Sequence, residues 1–372
     1  MSLLAERVTD GTIGNVCPGA SWLTVTPMPS PFLDACRCRP ADRTPVWFMR
    51  QAGRSLPEYR RIRGTGSILD SIREPERAAE ITLQPVRRYG VDAAILYSDI
   101  VVPVAAVGFG VEVARNIGPV VEHPFRDDAD LDRLRPLDPE TDCPYVAETV
   151  RRAVAGLAEL GDVPVIGFAG APFTVASYLI EGGPSRTLAT TKALMLGRPD
   201  LWTRLLDRLA DMALASLRAQ VAAGAAAFQL FDSWVGTLSP DLYERFVLPA
   251  STKVFAGLAD LDVPGIHFGV TTGELLPLLA KAGAAVVGLD WRVPLDEARQ
   301  RLGPDVAVQG NLDPAACLAP WPVVEERARD VLRRNAGQPG HIFNLGHGVL
   351  PDTDPSVLQR IVELVHAEGG TR

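Results

Sequence analysis

Pro45-Val46-Trp47-Phe48-Met49-Arg50-Gln51-Ala52-Gly53-Arg54 reads as a buried strand that ends abruptly in paired positive charge. The apolar run 46–49 is built from strand-forming residues, and Arg50 and Arg54 follow at once, separated by Gln51, Ala52 and Gly53. If the run lies in a core, its end delivers two planar guanidinium forks to one rim, suited to gripping carboxylate or phosphate. Two arginines after a strand can equally be a solvent-facing cap. The rest of the chain decides between these readings.

Working outward, the same pattern returns. Further short apolar runs fall at 92–97, 163–168, 226–231, 263–268, 286–290, 306–310 and 342–345. Between them lie stretches of helical periodicity, the clearest at 74–88, 145–160, 200–223 and 355–367. Alternation around residues 111–113 predicts a hairpin insertion. Eight strand runs, each followed by a helical segment, predict a parallel α/β fold, and that number favours a single distorted (β/α)8 TIM barrel over an open doubly wound sheet. Gln51-Ala52-Gly53-Arg54 does not fit the glycine-rich dinucleotide fingerprint that an open sheet would often carry after its first strand. Residues 1–30, rich in Gly, Ser, Thr and Pro, read as a flexible N-terminal extension, and 31–372 as the barrel domain.

In such a barrel the active site lies at the C-terminal ends of the strands. Reading only those ends collects Arg50, Arg54, Asp99, 169–173, Ser233, His267, Asp290, Asn311 and His347 on one rim. This favours the anion-binding reading of the two arginines over the cap. Asp99 can bond backbone amides of the following turn, or it can meet a ligand that carries several N–H donors. His347 sits between Gly346 and Gly348, which lets backbone and ligand approach closely.

The 372 residues carry a formal net charge of -8, which argues against a general partner in nucleic acid or an anionic membrane. Any anionic ligand must therefore be met by a local basic pocket. Five cysteines without CxxC spacing fit a reducing cytoplasm. Residues 1–30 lack the basic start and apolar run of a secretory signal, and no apolar run anywhere is long enough to span a bilayer.

The stretch 45–54 and the stretch Gly167-Phe-Ala-Gly-Ala-Pro-Phe-Thr-Val-Ala-Ser-Tyr-Leu-Ile-Glu-Gly182 resemble the two signature segments of the uroporphyrinogen decarboxylase family. The resemblance continues through Tyr97-Ser-Asp-Ile100, Phe231-Asp-Ser233, Gln309-Gly-Asn-Leu-Asp313 and Asn344-Leu-Gly-His-Gly348, and covers about residues 31–368. It implies a cofactor-independent cytoplasmic enzyme of haem and porphyrin biosynthesis, a homodimer. Its reaction converts the four acetate side chains of uroporphyrinogen III to methyl groups, giving coproporphyrinogen III and CO2. It also implies roles: Asp99, Arg50, Tyr178 and His347 in catalysis, and Arg50, Ala52, Arg54, Arg63, Asp99, Tyr178, Phe231, Ser233 and His347 in substrate binding, with no metal.

Three proton donors stand open at this point: His347, Tyr178, and a water held by Arg50, since a guanidinium is itself a poor acid. Two alternatives to the whole reading remain. A zinc-dependent corrinoid or thiol methyltransferase of the same superfamily would want a thiolate where this chain has His267-Phe268-Gly269. A non-catalytic tetrapyrrole-binding protein would keep the arginines and Asp99.

Overall fold

In the computed structural model the described residues are 30–53, 55–64, 66–114 and 117–370. Arg54 and residues 1–29 of the expected extension lie outside them. Nine strands are assigned among the described residues: β1 Ala94–Ile95, β2 Val111–Ala114, β3 Gly118–Val121, β4 Val165–Gly170, β5 Ala227–Asp232, β6 Gly265–Gly269, β7 Val286–Gly288, β8 Ala307–Gln309 and β9 His341–Ile342. Seven form one curled parallel sheet in the order β1-β4-β5-β6-β7-β8-β9, and β2 and β3 pair as the expected antiparallel hairpin. The chain is thus an α/β protein with a parallel sheet.

The strands are short, and all but β2, β3 and β5 consist wholly of buried residues. Helices cover the outside. The longest, Pro199–Ala222, starts on a proline and buries Leu201, Trp202, Leu205, Leu206, Leu209, Ala213 and Leu217, one stripe at helical spacing. The helix Pro75–Tyr89 ends at Gly90, whose φ of 67° supplies the left-handed cap that a side chain resists.

The first expected strand, 46–49, is much shorter than its apolar composition suggests. Only Val46 bridges a neighbour, in parallel with Phe343. Phe343 N–H donates to Pro45 O, Trp47 N–H to Phe343 O, and Asp92 N–H to Val46 O, so this short segment lies between the β9 and β1 ends of the sheet. Beyond it side chains replace the ladder. Phe48 N–H donates to Gln51 Oε1 and Met49 N–H to Asn344 Oδ1, which bends the chain out of the sheet direction.

Inside the curl, Trp47 Nε1–H donates to Gln309 Oε1 and Gln309 Nε2–H to Gln229 Oε1, both at 2.9 Å. This chain of bonds links the first segment to β8 and then β5 across the buried interior. Each such bond is worth only about 0.5–1.5 kcal/mol net, but leaving a partner unpaired there costs more, so the relay fixes register as well as adding stability.

At the N-terminal side of β1, buried Asp92 ties three segments together. Its Oδ2 accepts from Val46 N–H and faces His366 Nε2 at 2.7 Å, while its Oδ1 accepts from Arg43. The last helix, Pro355–Glu368, is thereby fastened beneath the sheet. Among the described residues, no helix is long and apolar enough to cross a membrane.

Candidate active site

The turn after Val46 fixes Arg50. Gln51 is fully buried, accepting from Phe48 N–H and donating through Nε2 to Ala93 O at 3.0 Å. Val349 N–H donates to Met49 O from the other side. Held at both ends, Arg50 adopts a φ of 59°, sparsely populated for a residue with a Cβ, and its side chain is exposed. A left-handed arginine costs on the order of 1 kcal/mol, which the surrounding bonds offset.

His347 lies beside this arginine, and its two glycines show why. A Cβ on Gly348 would stand 2.6 Å from Arg50 Cδ, and one on Gly346 would stand 2.5 Å from Trp291 N. The Gly-His-Gly turn therefore runs from the loop after β7 to the Arg50 side chain, with no room for a larger residue at either flank. Behind it the Phe268 ring is 6.3 Å from the imidazole. Burial, helped by the Arg50 and Arg292 charges and opposed by Asp290, lowers the His347 pKa to about 4. The imidazole is neutral at pH 7.

Asp99 follows β1 at the same end of the sheet. Its Oδ1 accepts from Val101 N–H at 3.1 Å, so part of the carboxylate does cap the next turn. Burial nonetheless raises its pKa, against the lowering effects of the Val101 amide, the Arg50 guanidinium and the Ile100 amide. The Tyr178 hydroxyl is also raised, by burial first and by the Asp99 charge, with a hydrogen bond from Trp234 and the charge of Arg50 opposing. Arg50, Asp99, Tyr178 and His347 thus share one electrostatic environment.

Tyr178 is held edge-on to Trp234, ring centres 5.7 Å apart. Trp234 is fixed in turn, its N–H donating to Thr174 Oγ1, which donates to the buried Asp232 Oδ1. Phe231 sits edge-on between Phe168 and Phe268, at 5.3 and 5.9 Å, and forms an apolar floor at the strand ends. Ser233, half-buried, follows the end of β5. Ala52 packs against the core within the Arg50 turn. Arg63 lies farther out, at the end of the helix Pro57–Arg63, where its guanidinium donates to Gly64 O and influences the buried Tyr97 hydroxyl.

Two of the rim residues expected from the strand ends do other work. His267 is fully buried within β6, with Nε2 3.5 Å from Asp232 Oδ2 and Nδ1 3.4 Å from Leu279 O. The expected rim position fails because the His267 ring faces the helix layer, 5.3 Å from the Phe255 ring and against Leu279 O. Asn311 donates to Asp290 O and Val293 O and so fastens a loop. Conversely, Gln51, Thr174 and Trp234 carry the geometry of the cleft although sequence reading passes over Gln51 as a spacer, Thr174 as signature filler and Trp234 altogether. Their polar groups flank apolar runs, the one signal that could have marked them.

The model of the family described as Uroporphyrinogen decarboxylase (URO-D) matches residues 28–368. A protein of Salinispora tropica named uroporphyrinogen decarboxylase is 62% identical over 340 residues, 91% of each chain. Its namesake in Thermobifida fusca is 59% identical, covering 93% of this chain and 94% of its own. Another, in Mycobacterium bovis, is 54% identical, covering 91% and 97%. Among solved structures, a methyltransferase from Methanosarcina mazei superposes with a TM-score of 0.69 at 19% identity, over 90% of this chain and 97% of its own, which speaks to fold alone.

Proposed function

The chain belongs to the uroporphyrinogen decarboxylase family, and from that premise we propose that it decarboxylates the four acetate side chains of uroporphyrinogen III to give coproporphyrinogen III, in porphyrin biosynthesis. It is a carboxy-lyase. The methyltransferase alternative is not favoured, since the relatives of high identity carry the decarboxylase name.

Losing CO2 from an acetate leaves an electron pair that needs a sink. Many enzymes supply one through a cofactor. A pyrrole supplies its own: protonation at the ring carbon next to the nitrogen, adjacent to the carbon bearing the acetate, gives a cation shared by the acetate-bearing carbon. Breaking the bond to the carboxylate carbon then returns its electron pair to the ring, releasing CO2 and leaving an exocyclic methylene. A second proton on that methylene makes the methyl group, and the ring carbon gives up the first. Each acetate thus consumes one proton overall.

The single observation that carries this reading is a half-buried carboxylate, Asp99, within the charge field of an exposed arginine, Arg50, at the C-terminal ends of parallel strands. Asp99 accepts the converging pyrrole N–H groups and stabilises the ring cation, a fixed charge in a partly dry site. Arg50, with Arg54 and Arg63, holds the carboxylates, and Ala52, Tyr178, Phe231, Ser233 and His347 line the cleft. His347, neutral at pH 7, acts as a binding group and not as an imidazolium acid.

In this reading residues 31–372 form one distorted (β/α)8 barrel, which the bonds of Pro45 to Trp47 with Phe343 and Asp92 support. The protein works as a homodimer in the cytoplasm, a compartment compatible with the four described cysteines, all free. The test is incubation with uroporphyrinogen III in the dark without oxygen. Coproporphyrinogen III should accumulate, and a tetrapyrrole that binds but keeps all its acetates would sink the assignment in favour of a carrier.

A further inference from the structure

We propose that Arg292 is a second carboxylate-holding arm of the cleft, set on the opposite flank of His347 from Arg50. The inference rests on the reading of the cleft as a site for a polycarboxylate, and goes beyond it by naming a residue outside both signature segments.

The Gly-His-Gly turn provides the geometry. Its Gly348 flank lies against the Arg50 side chain and its Gly346 flank against Trp291 N, so the residue after Trp291 stands across His347 from Arg50. Arg292 is held there from three directions. Its N–H donates to Asp290 Oδ1 at 2.9 Å, its Nη1 to Asp290 Oδ2 at 2.7 Å, and its Cζ stands 4.2 Å over the Trp291 ring. The side chain is still 46% exposed, whereas Asp290 beneath it is 2% exposed.

A structural ion pair is the plainer account, but Asp290 does not need this guanidinium to be satisfied. It also accepts from Thr271 N–H and Arg292 N–H, which together meet both its oxygens. The guanidinium has five N–H donors in a fixed fork, of which Asp290 takes only one. The remainder are preorganised by the stack on Trp291 and by the ion pair, so binding a carboxylate orders little further. The neutral state of His347 agrees with cations on both sides. A substrate with carboxylates around the whole macrocycle needs cations on more than one side of its centre, and Arg50 serves only the Gly348 side of His347.

The experiment is steady-state kinetics of Arg292→Gln and Arg292→Lys on uroporphyrinogen III at several ionic strengths. For Arg292→Gln, KM should rise about three- to tenfold with kcat within about twofold, the loss expected for one charge-assisted contact. Its KM should also depend less steeply on salt. Arg292→Lys should recover part of the loss, since it keeps the charge but not the fork. An unchanged KM, or a fall in kcat with KM and the salt slope unmoved, would overturn the proposal and leave Arg292 a support for Asp290. If the wild-type chain itself fails to release CO2, the reading of the cleft falls first, so the two failures are distinguishable.

Discussion

Gly348 is pressed against Arg50 so closely that an added Cβ would meet three carbons of the arginine side chain, at 2.6, 2.8 and 3.2 Å. These are Cδ, Cγ and Cβ, near the root of the side chain, so the arginine cannot swing its tip aside to relieve the clash. Gly348→Ala should therefore displace the guanidinium. The expected outcome is a fall in kcat/KM of about tenfold or more with a small change in melting temperature, since one misplaced positioning group weakens the transition state more than the fold. Near-normal kinetics would show that Arg50 holds no substrate.

Asp99→Asn should fold normally and lose most activity, because the amide keeps the shape and an acceptor oxygen but not the charge. The pH profile gives a second check. Burial raises the Asp99 pKa, so the acid limb of kcat/KM should lie above the ordinary carboxylate value of about 3.9. A limb that stays in place when Asp99 is replaced would assign the titration to another group.

His347→Asn should raise KM and spare kcat, because a histidine with a pKa of about 4 carries no exchangeable imidazolium proton at pH 7. A loss of about tenfold in kcat/KM is expected from one missing hydrogen-bonding group. Complete loss of turnover with normal substrate saturation would instead point to proton transfer.

Much of the architecture was legible in the sequence, because parallel strands buried on both faces announce themselves as continuous apolar runs. The runs at 163–168, 226–231 and 263–268 reappear as β4, β5 and β6, displaced by a residue or two. Val46 to Met49 misled for a physical reason: burial there is complete, but Gln51 and Asn344 side chains take over the hydrogen bonds of a ladder. Composition reports burial and not which atoms satisfy the backbone. The same limit explains His267, whose type suggested a ligand contact although its ring faces the helix layer behind β6. The tie between Trp234 and Thr174 was beyond reading even so, since it joins residues 60 apart in sequence.

Gln51→Ala tests that substitution of side chain for ladder. It would strip Phe48 N–H of its acceptor and Ala93 O of its donor, both in the buried region. At roughly 1–3 kcal/mol per orphaned group, the total loss of stability should be about 2–5 kcal/mol, measured by urea denaturation. Activity should fall with it, because the turn that holds Arg50 at a φ of 59° loses its strut. A stable variant with full activity would show that Asn344 alone suffices.

Acid should weaken the fold through histidines before carboxylates. His341 and His347 are both lowered to about 4, His341 by burial with the Arg299 charge adding to it and the Gly310 carbonyl opposing. Each is neutral in the folded chain, while the unfolded histidine takes a proton near 6.5. The unfolded state therefore binds more protons between about 6.5 and 4, and stability falls across that window, by up to about 3 kcal/mol per histidine. Asp92 acts lower: its pKa is depressed by His366, Val46 N–H and Arg43 against its burial, so its contribution is present above the unfolded carboxylate value and is lost as pH falls through the folded one. The melting temperature should thus drop from pH 7 to pH 4.5, and His341→Gln should flatten part of that drop while keeping a donor for the Gly310 carbonyl. A pH dependence identical to wild type would show that His341 is charged inside the fold.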